Sequence, residues 1–275
     1  MSETQKAAAE TFRKLHAEGC FVLPNPWDVG SAMYLRHVGF KALATTSAGF
    51  AYSHGLLDEA PTIDAVLAHC RDIVQATPLP VNADFRHGYA DAPEGVAENV
   101  TRCVATGVAG LSIEDSTDND AEPLYDIQLA VERIKAARRA IDATGIPVVL
   151  TGRCESWLVG DPNAFAVAIE RLTAYAEAGA DCLYAPGVSD PREIEAIVKA
   201  VAPKPVNVLV YRPDQNMTVA ILADLGVRRI SVGSALSRVA WGAFMRAAQS
   251  IATTGTFDSL GDVAAFADLA SVFKR

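Results

Sequence analysis

The sequence predicts a (β/α)8 barrel, and three observations carry that expectation. Eight short, almost continuously apolar runs alternate with helix-forming stretches. Runs of that kind are strands of a parallel sheet covered on both faces. The chain has 275 residues, and eight such units in about 250 residues match a closed barrel. Glycines also punctuate the joints between helix and strand: Gly39 in "HVGFKALATT", Gly110 in "TGVAGLSIED", Gly145 in "ATGIPVVLTG", Gly179 in "AGADCLYAPG" and Gly226 in "LGVRRISVG". Glycine accepts the left-handed φ of a helix C′ position without steric cost. The rival architecture is an open doubly wound sheet. It would usually carry a glycine-rich nucleotide loop after its first strand, and "LPNPWDVGSA" is not one.

Taken in order, residues 2–17 read as a helix ahead of the first strand. The strands are expected near 20–25, 41–46, 79–84, 110–115, 146–153, 182–186, 205–210 and 229–233. Helix starts are marked in "DAPEGV", "GDPNAF" and "SDPREI", where an Asp stands ahead of a Pro. Asp can cap free N–H groups and Pro tolerates the first helical turn. After the eighth strand, "SALSRVAWGAFMRAAQSIATTG" and "LGDVAAFADLASVF" read as two further helices, which would cover the barrel floor or pack on a second subunit. No low-complexity linker interrupts the chain, so residues 1–275 are expected to form one domain, with residues 235–275 open to exchange between subunits.

Composition narrows the function classes. The net charge is −9, which argues against a nucleic-acid or anionic-membrane surface, since both need basic patches. The five cysteines, Cys20, Cys70, Cys103, Cys154 and Cys182, are scattered and form no CxxC pair. That pattern disfavours a disulfide framework or a zinc ribbon and fits a reduced cytoplasm. The charged N-terminal stretch lacks a signal-peptide core, and no run of about 18 apolar residues predicts a membrane span.

In such a barrel the active site lies at the C-terminal strand ends. The second strand ends in "TTSAG", with Ser47, Ala48 and Gly49; the third ends at Asp84, the fourth at Glu114 and Asp115, the fifth at Arg153 with Glu155, and the seventh carries Asn207. No strand end carries lysine, so imine chemistry is disfavoured. Asp84 and Glu114 come from neighbouring strands. Two carboxylates converging there repel unless a cation or proton lies between them, and oxygen ligands without paired histidines suit Mg²⁺ or Mn²⁺. The alternative is that each acid caps a helix. Asp115 is read that way. Arg153 is the one charge of "VVLTGR"; its planar fork suits a carboxylate or phosphate, or an ion pair with Glu155 or Glu114. Ser47-Ala48-Gly49 offers N–H groups for an oxyanion, or a tight β→α turn. Gly233-Ser234 after the eighth strand has the form of a barrel phosphate cradle, or of a common turn pair. Histidines 16, 37 and 69 fall on helices as surface or packing residues, and Trp27 follows the first strand as a packing or substrate contact.

At these residues the chain resembles the isocitrate lyase/phosphoenolpyruvate mutase superfamily. "PNPWDVGSA", "ATTSAGFAYSHG", "NADFRHGYAD", "GLSIEDS", "TGRCES" and "YAPG" occur in that family's order over about residues 20 to 255. The resemblance implies a (β/α)8 barrel, a homodimer or homotetramer, bound Mg²⁺ and a small 2-oxo or 2-hydroxy acid whose C–C or C–P bond beside the carbonyl is cleaved or formed. It implies Asp84 and Glu114 as metal residues, Arg153 as the partner of the substrate carboxylate, and Ser47, Ala48 and Gly49 as oxyanion donors. Trp27 and Asn207 complete the expected substrate site. Two departures stand out. Arg86 occupies the place of the family's second acid, and the loop after Glu114, "DSTDNDAEPLYD", has no cysteine and no lysine, only Asn119 as a possible gate residue.

These residues imply an enolate stabilised by the metal and by backbone donors. Retro-aldol cleavage also needs an acid and a base, and phosphoryl transfer needs a cation over the migrating group; the gate supplies none of these. Decarboxylation needs least, so an oxaloacetate-type decarboxylase is the simplest expectation, with Tyr52, His54, His87 or Tyr89 as candidate proton donors. A methylisocitrate lyase-like enzyme, a C–P bond enzyme and a 2-oxo acid binding protein are the alternatives.

Overall fold

The computed structural model describes residues 2–117, 119–213 and 217–274. Eight strands are present: β1 (Phe21–Leu23), β2 (Leu43–Ala44), β3 (Val81–Asp84), β4 (Gly110–Glu114), β5 (Val149–Arg153), β6 (Cys182–Tyr184), β7 (Val206–Leu209) and β8 (Arg229–Ser231). They form one parallel sheet in the order β1-β8-β7-β6-β5-β4-β3-β2. The seam between β1 and β2 is bridged by the Ala44 N–H, which donates to the Pro24 carbonyl at 3.0 Å. The expected (β/α)8 barrel is therefore the observed fold. The strands are shorter than their apolar runs because flanking residues such as Ala42, Thr45 and Thr46 are buried without joining a ladder.

Helices alternate with the strands: α1 (Glu3–Ala17), α2 (Val29–His37), α3 (Ser47–Ser53), α4 (Ile63–Ala76), α5 (Pro93–Val104), α6 (Ile127–Ala143), α7 (Ala164–Glu177), α8 (Pro191–Val201), α9 (Val219–Asp224), α10 (Ala235–Thr254) and α11 (Phe266–Phe273). Their inward faces supply Val96, Val100, Ile134, Ile141, Leu172, Ile194 and Ile197 to a continuous buried core. Asp190 caps α8 as expected, accepting from the Arg192 N–H at 2.8 Å. Asp91 does not cap α5; its carboxylate accepts the Tyr125 hydroxyl, and Ala92 is the N-cap. Gly39, Gly145, Gly179 and Gly226 have the positive φ of helix ends. Gly110 does not. It opens β4, and Gly107 makes the turn after α5. A Cβ on Gly110 would lie 2.6 Å from Phe12 and from Asn82 Oδ1, so close packing against α1 requires glycine there.

That contact also places α1. Phe12 and His16 are buried against the N-terminal strand ends, and Gln5 Nε2 donates to the Val104 and Val108 carbonyls at 2.7 and 3.2 Å. The barrel floor is thus covered by α1 rather than by the C-terminal helices. In α11, Phe273 leans on α2 near Gly30. Of α10 only Ser237 is buried, while Val239, Phe244 and Met245 are exposed. No helix of the described residues is long and apolar enough to cross a membrane.

Candidate active site

The strand ends open into a cavity of about 290 Å³ lined by residues of all eight strands or the turns that follow them. Its wall is built from short sequence-local devices. After β2, Thr46 caps α3 by accepting the Gly49 N–H at 3.2 Å. The first residue of α3 then points at the neighbouring strand: the Ser47 N–H and hydroxyl both donate to Asp84 Oδ2, at 2.9 and 3.0 Å. Asp84 caps a helix, but one that follows the adjacent strand.

The other oxygen of Asp84 faces Arg153. Arg153 Nη1 lies 3.2 Å from Asp84 Oδ1 and 3.0 Å from Glu114 Oε2, while Nε and Nη2 reach Glu155. The Tyr184 ring lies 5.2 Å from the guanidinium carbon. Arg153 and Glu114 are register partners on β5 and β4, which explains their approach. The three surrounding carboxylates hold the Arg153 pKa well above its ordinary range, against the opposing effect of burial. Burial pushes the Glu155 carboxyl up, and Glu114 adds to that. Asp115 belongs to a separate support: it accepts the Glu155 N–H, Tyr175 hydroxyl and Arg171 at 2.8, 2.6 and 3.1 Å.

The turn after β3 explains the sequence "DFRHGY". Arg86, Gly88 and Tyr89 have φ of 44°, 80° and 56°, a run of left-handed residues that reverses the chain. The Gly88 N–H donates to Phe85 O at 2.9 Å, and the Glu114 N–H donates to Arg86 O at 3.0 Å. Arg133, buried under this loop, donates to the carbonyls of His87, Ala90 and Asp91. Two non-glycine residues in that region are strained, and such strain persists where the surroundings over-determine it. The result is that Arg86 lines the cavity.

Asp84, Glu114, Arg153, Ser47, Ala48 and Asn207 all line the cavity. Trp27 and Gly49 do not. Trp27 lines the adjacent cavity with Phe50, His54 and His69. Gly49 lies behind the wall, where a Cβ would come within 2.6 Å of Thr46 Cγ2 and 3.0 Å of Trp27 Cβ. Of the three N–H groups expected to face an oxyanion, Ser47 is engaged by Asp84 and Gly49 by Thr46; among the described residues only Ala48 keeps a donor without an acceptor. None of Tyr52, His54, His87 and Tyr89 lines this cavity; His87 and Tyr89 are turned by the left-handed run into another one. Asn119 shares that second cavity and closes a local turn, accepting the Ala121 N–H at 3.1 Å. Its loop folds on itself through a bridge between Ser116 and Leu124. Asp118 of that loop lies outside the described residues.

Sequence reasoning missed Asp58 and Arg229, and read Arg86 only as a departure from a pattern. Asp58 lies in the loop between α3 and α4, where no strand end points to it, yet it lines the cavity and buries Oδ1 without a hydrogen-bond partner. Burial, and then the Asp84 charge, push its carboxyl up to about 6. Desolvation disfavours the charged form of a carboxyl, and a neighbouring carboxylate adds to that.

A divalent cation fits this donor set. Asp84 and Glu114 direct oxygens at one cationic atom, and Asp58 supplies an unpartnered oxygen nearby. Among the described residues no three His, Cys, Asp or Glu side chains are grouped closely enough to hold an ion unaided. Mg²⁺ commonly keeps several waters and takes one or two carboxylates.

The phosphoenolpyruvate phosphomutase family model matches residues 12–252. The chain therefore belongs to that family, and it is a lyase of the phosphoenolpyruvate mutase/isocitrate lyase superfamily. A solved candidate lyase/mutase from Burkholderia cenocepacia is 45% identical with a TM-score of 0.96, over 100% of this chain and 98% of the other. An uncharacterized protein of Mycobacterium tuberculosis is 35% identical over 82% of each chain. An oxaloacetate decarboxylase of Rhodopseudomonas palustris is 34% identical over 50% of this chain and 48% of its own.

Proposed function

We propose that the protein is a Mg²⁺-dependent C–C lyase for a small 2-oxo diacid, most simply an oxaloacetate-type decarboxylase. The observation that carries this reading is the convergence of Asp84 Oδ1 and Glu114 Oε2 on a single cationic atom, Arg153 Nη1. Asp84 and Glu114 would hold the ion, and Asp58 would add a further oxygen in the same cavity. When bound, Mg²⁺ supplies Lewis acidity at the 2-oxo group.

The chain's own residues do the rest. Arg153, released from part of its acid cluster when another cation enters, orients a carboxylate through its fork. The Ala48 N–H, on a residue that lines the cavity, would serve as a donor for the oxygen on which charge develops; one such donor contributes about 3 kcal/mol in comparable sites. As the C–C bond breaks, its electron pair passes into the enolate and CO2 leaves. The enolate carbon then takes a proton from water at the cavity mouth. No acid from the loop 115–126 is required for this step.

The exposed apolar residues of α10 and the segment beyond it, Val239, Phe244, Met245 and Phe266, suit burial against a second copy of the chain.

Measuring pyruvate released from oxaloacetate, with Mg²⁺ and with EDTA, tests the reaction. Release that EDTA abolishes and Asp84→Ala lowers is expected; equal rates for wild type and Asp84→Ala would refute it. Glyoxylate, succinate or phosphate release from a substrate panel would instead identify a methylisocitrate lyase-like or C–P activity, and tight binding without turnover a binding protein.

A further inference from the structure

Arg86 follows the end of β3 and lines the cavity with Asp58, Asp84 and Glu114. Its backbone is held at φ 44°, a region that strains most residues with a Cβ. The surroundings enforce that conformation. Phe85, directly before it, is fully buried. The Arg86 carbonyl accepts the Glu114 N–H at 3.0 Å. Asn99 Nδ2 donates to the Gly88 and Tyr89 carbonyls at 3.0 and 3.2 Å, and Arg133 donates to the His87 carbonyl. A glycine would make this turn without strain. The turn therefore gives no reason for an arginine, and the cavity supplies one.

Among the described residues, the cavity is lined by four acids, Asp58, Asp84, Glu114 and Glu155, and by three arginines. Arg153 meets Asp84, Glu114 and Glu155. Arg229 is held by Asn207, Thr151 and His16. Arg86 supplies the third positive charge. Burial and then the Asp84 charge raise the Asp58 carboxyl, and the Arg86 charge opposes them. Four carboxylates against three guanidiniums leave little net charge. A divalent cation that enters alone makes the cavity positive, and a dianion that enters with it restores the balance. A fixed charge acts on every charge brought near it, with opposite sign for cation and anion.

We propose that Arg86 sets the charge balance of the cavity, weakening the binding of a lone divalent ion and strengthening that of a dianionic substrate. The assignment rests on the reading of a Mg²⁺ and 2-oxo diacid site above. It narrows the substrate class to acids with two negative charges at neutral pH, since a monoanion gains less from the same guanidinium.

The test compares wild type, Arg86→Gly and Arg86→Lys by isothermal titration, with melting curves for each. Metal-free protein is titrated with Mg²⁺ alone, and Mg²⁺-saturated protein with oxalate and with pyruvate. Arg86→Gly removes the charge and suits the left-handed φ, so the fold is retained; Arg86→Asn, which also tolerates that φ, gives the same comparison. Both are expected to bind Mg²⁺ on the order of 10-fold more tightly and oxalate on the order of 10-fold more weakly, with a smaller loss for pyruvate. Arg86→Lys keeps the charge and should stay close to wild type. A purely structural arginine would shift both ligands in one direction or leave both unchanged. Either result overturns the assignment, as does an Arg86→Lys variant that behaves like Arg86→Gly. If wild type binds Mg²⁺ and oxalate and the variants bind them equally well, only the role of Arg86 falls. If wild type binds neither, the underlying reading falls with it.

Discussion

Asp84 Oδ2 accepts two hydrogen bonds from Ser47, one from its backbone N–H at 2.9 Å and one from its hydroxyl at 3.0 Å. The same carboxylate therefore fixes the start of α3 with one oxygen and offers the other to a cation. A pre-oriented carboxylate loses little freedom when an ion arrives, and holding a group in its productive geometry is how a rigid barrel assists a site.

Removing that carboxylate should separate binding from folding. Asp84→Asn keeps an acceptor for Ser47 and loses the charge. Mg²⁺ should raise the Tm of the wild type by ligand linkage, and the increment should shrink in Asp84→Asn and Glu114→Gln. Decarboxylation should fall by roughly 100-fold or more, in line with losing a first-contact electrostatic group. A Tm increment unchanged in both variants would place the ion elsewhere.

Arg153 is in ion-pair contact with both Asp84 and Glu114. Arg153→Met should destabilise the protein by about 3–5 kcal/mol, because it leaves buried carboxylates unpaired. Addition of Mg²⁺ should recover part of that loss, since the ion neutralises the same acids. Denaturant unfolding with and without Mg²⁺ measures both effects.

Asp58 gives the site a pH signature. Its folded-state carboxyl is raised to about 6 from 3.8, so the native state holds the proton longer than the unfolded chain. Its contribution to stability is fully present below pH 3.8 and lost as pH rises through about 6. In metal-free protein, Tm should decline over that window, and Asp58→Asn should flatten the decline. An unaltered profile in the variant would show that Asp58 does not titrate there.

Gly49 tests the wall. Its missing side chain accommodates Thr46 Cγ2 at 2.6 Å and Trp27 Cβ at 3.0 Å from where a Cβ would stand. Gly49→Ala should cost about 1–3 kcal/mol by overpacking and shift Ser47 and Ala48 with it, so kcat should fall together with Tm. A variant with native Tm and native activity would show that the wall can yield.

The apolar surface of α10 predicts association. Sedimentation or light scattering should report an oligomer for the wild type, and Phe244→Glu should shift it toward monomer; Phe244 is 61% exposed in the isolated chain. A wild type that is monomeric at high concentration would remove the second copy from the proposal.

The sequence by itself determined the order of the eight strands and the placement of Asp84, Glu114, Arg153 and Ser47 at their ends. Apolar runs, helix-stop glycines and polar residues at the ends of those runs are local signals, and a barrel turns strand order directly into position. Only the tertiary structure decided which neighbouring groups share the cavity. Asp58 arrives on a loop with no periodic signal, and Arg86 is placed by a left-handed turn that the buried Arg133 holds from below. Trp27 and Gly49 have the right positions in the chain but pack behind the wall, and Arg229 crosses the barrel to residues 78 and 213 positions away in sequence. Those outcomes depend on side-chain direction and on charges brought together from distant segments, which periodicity along one strand does not encode.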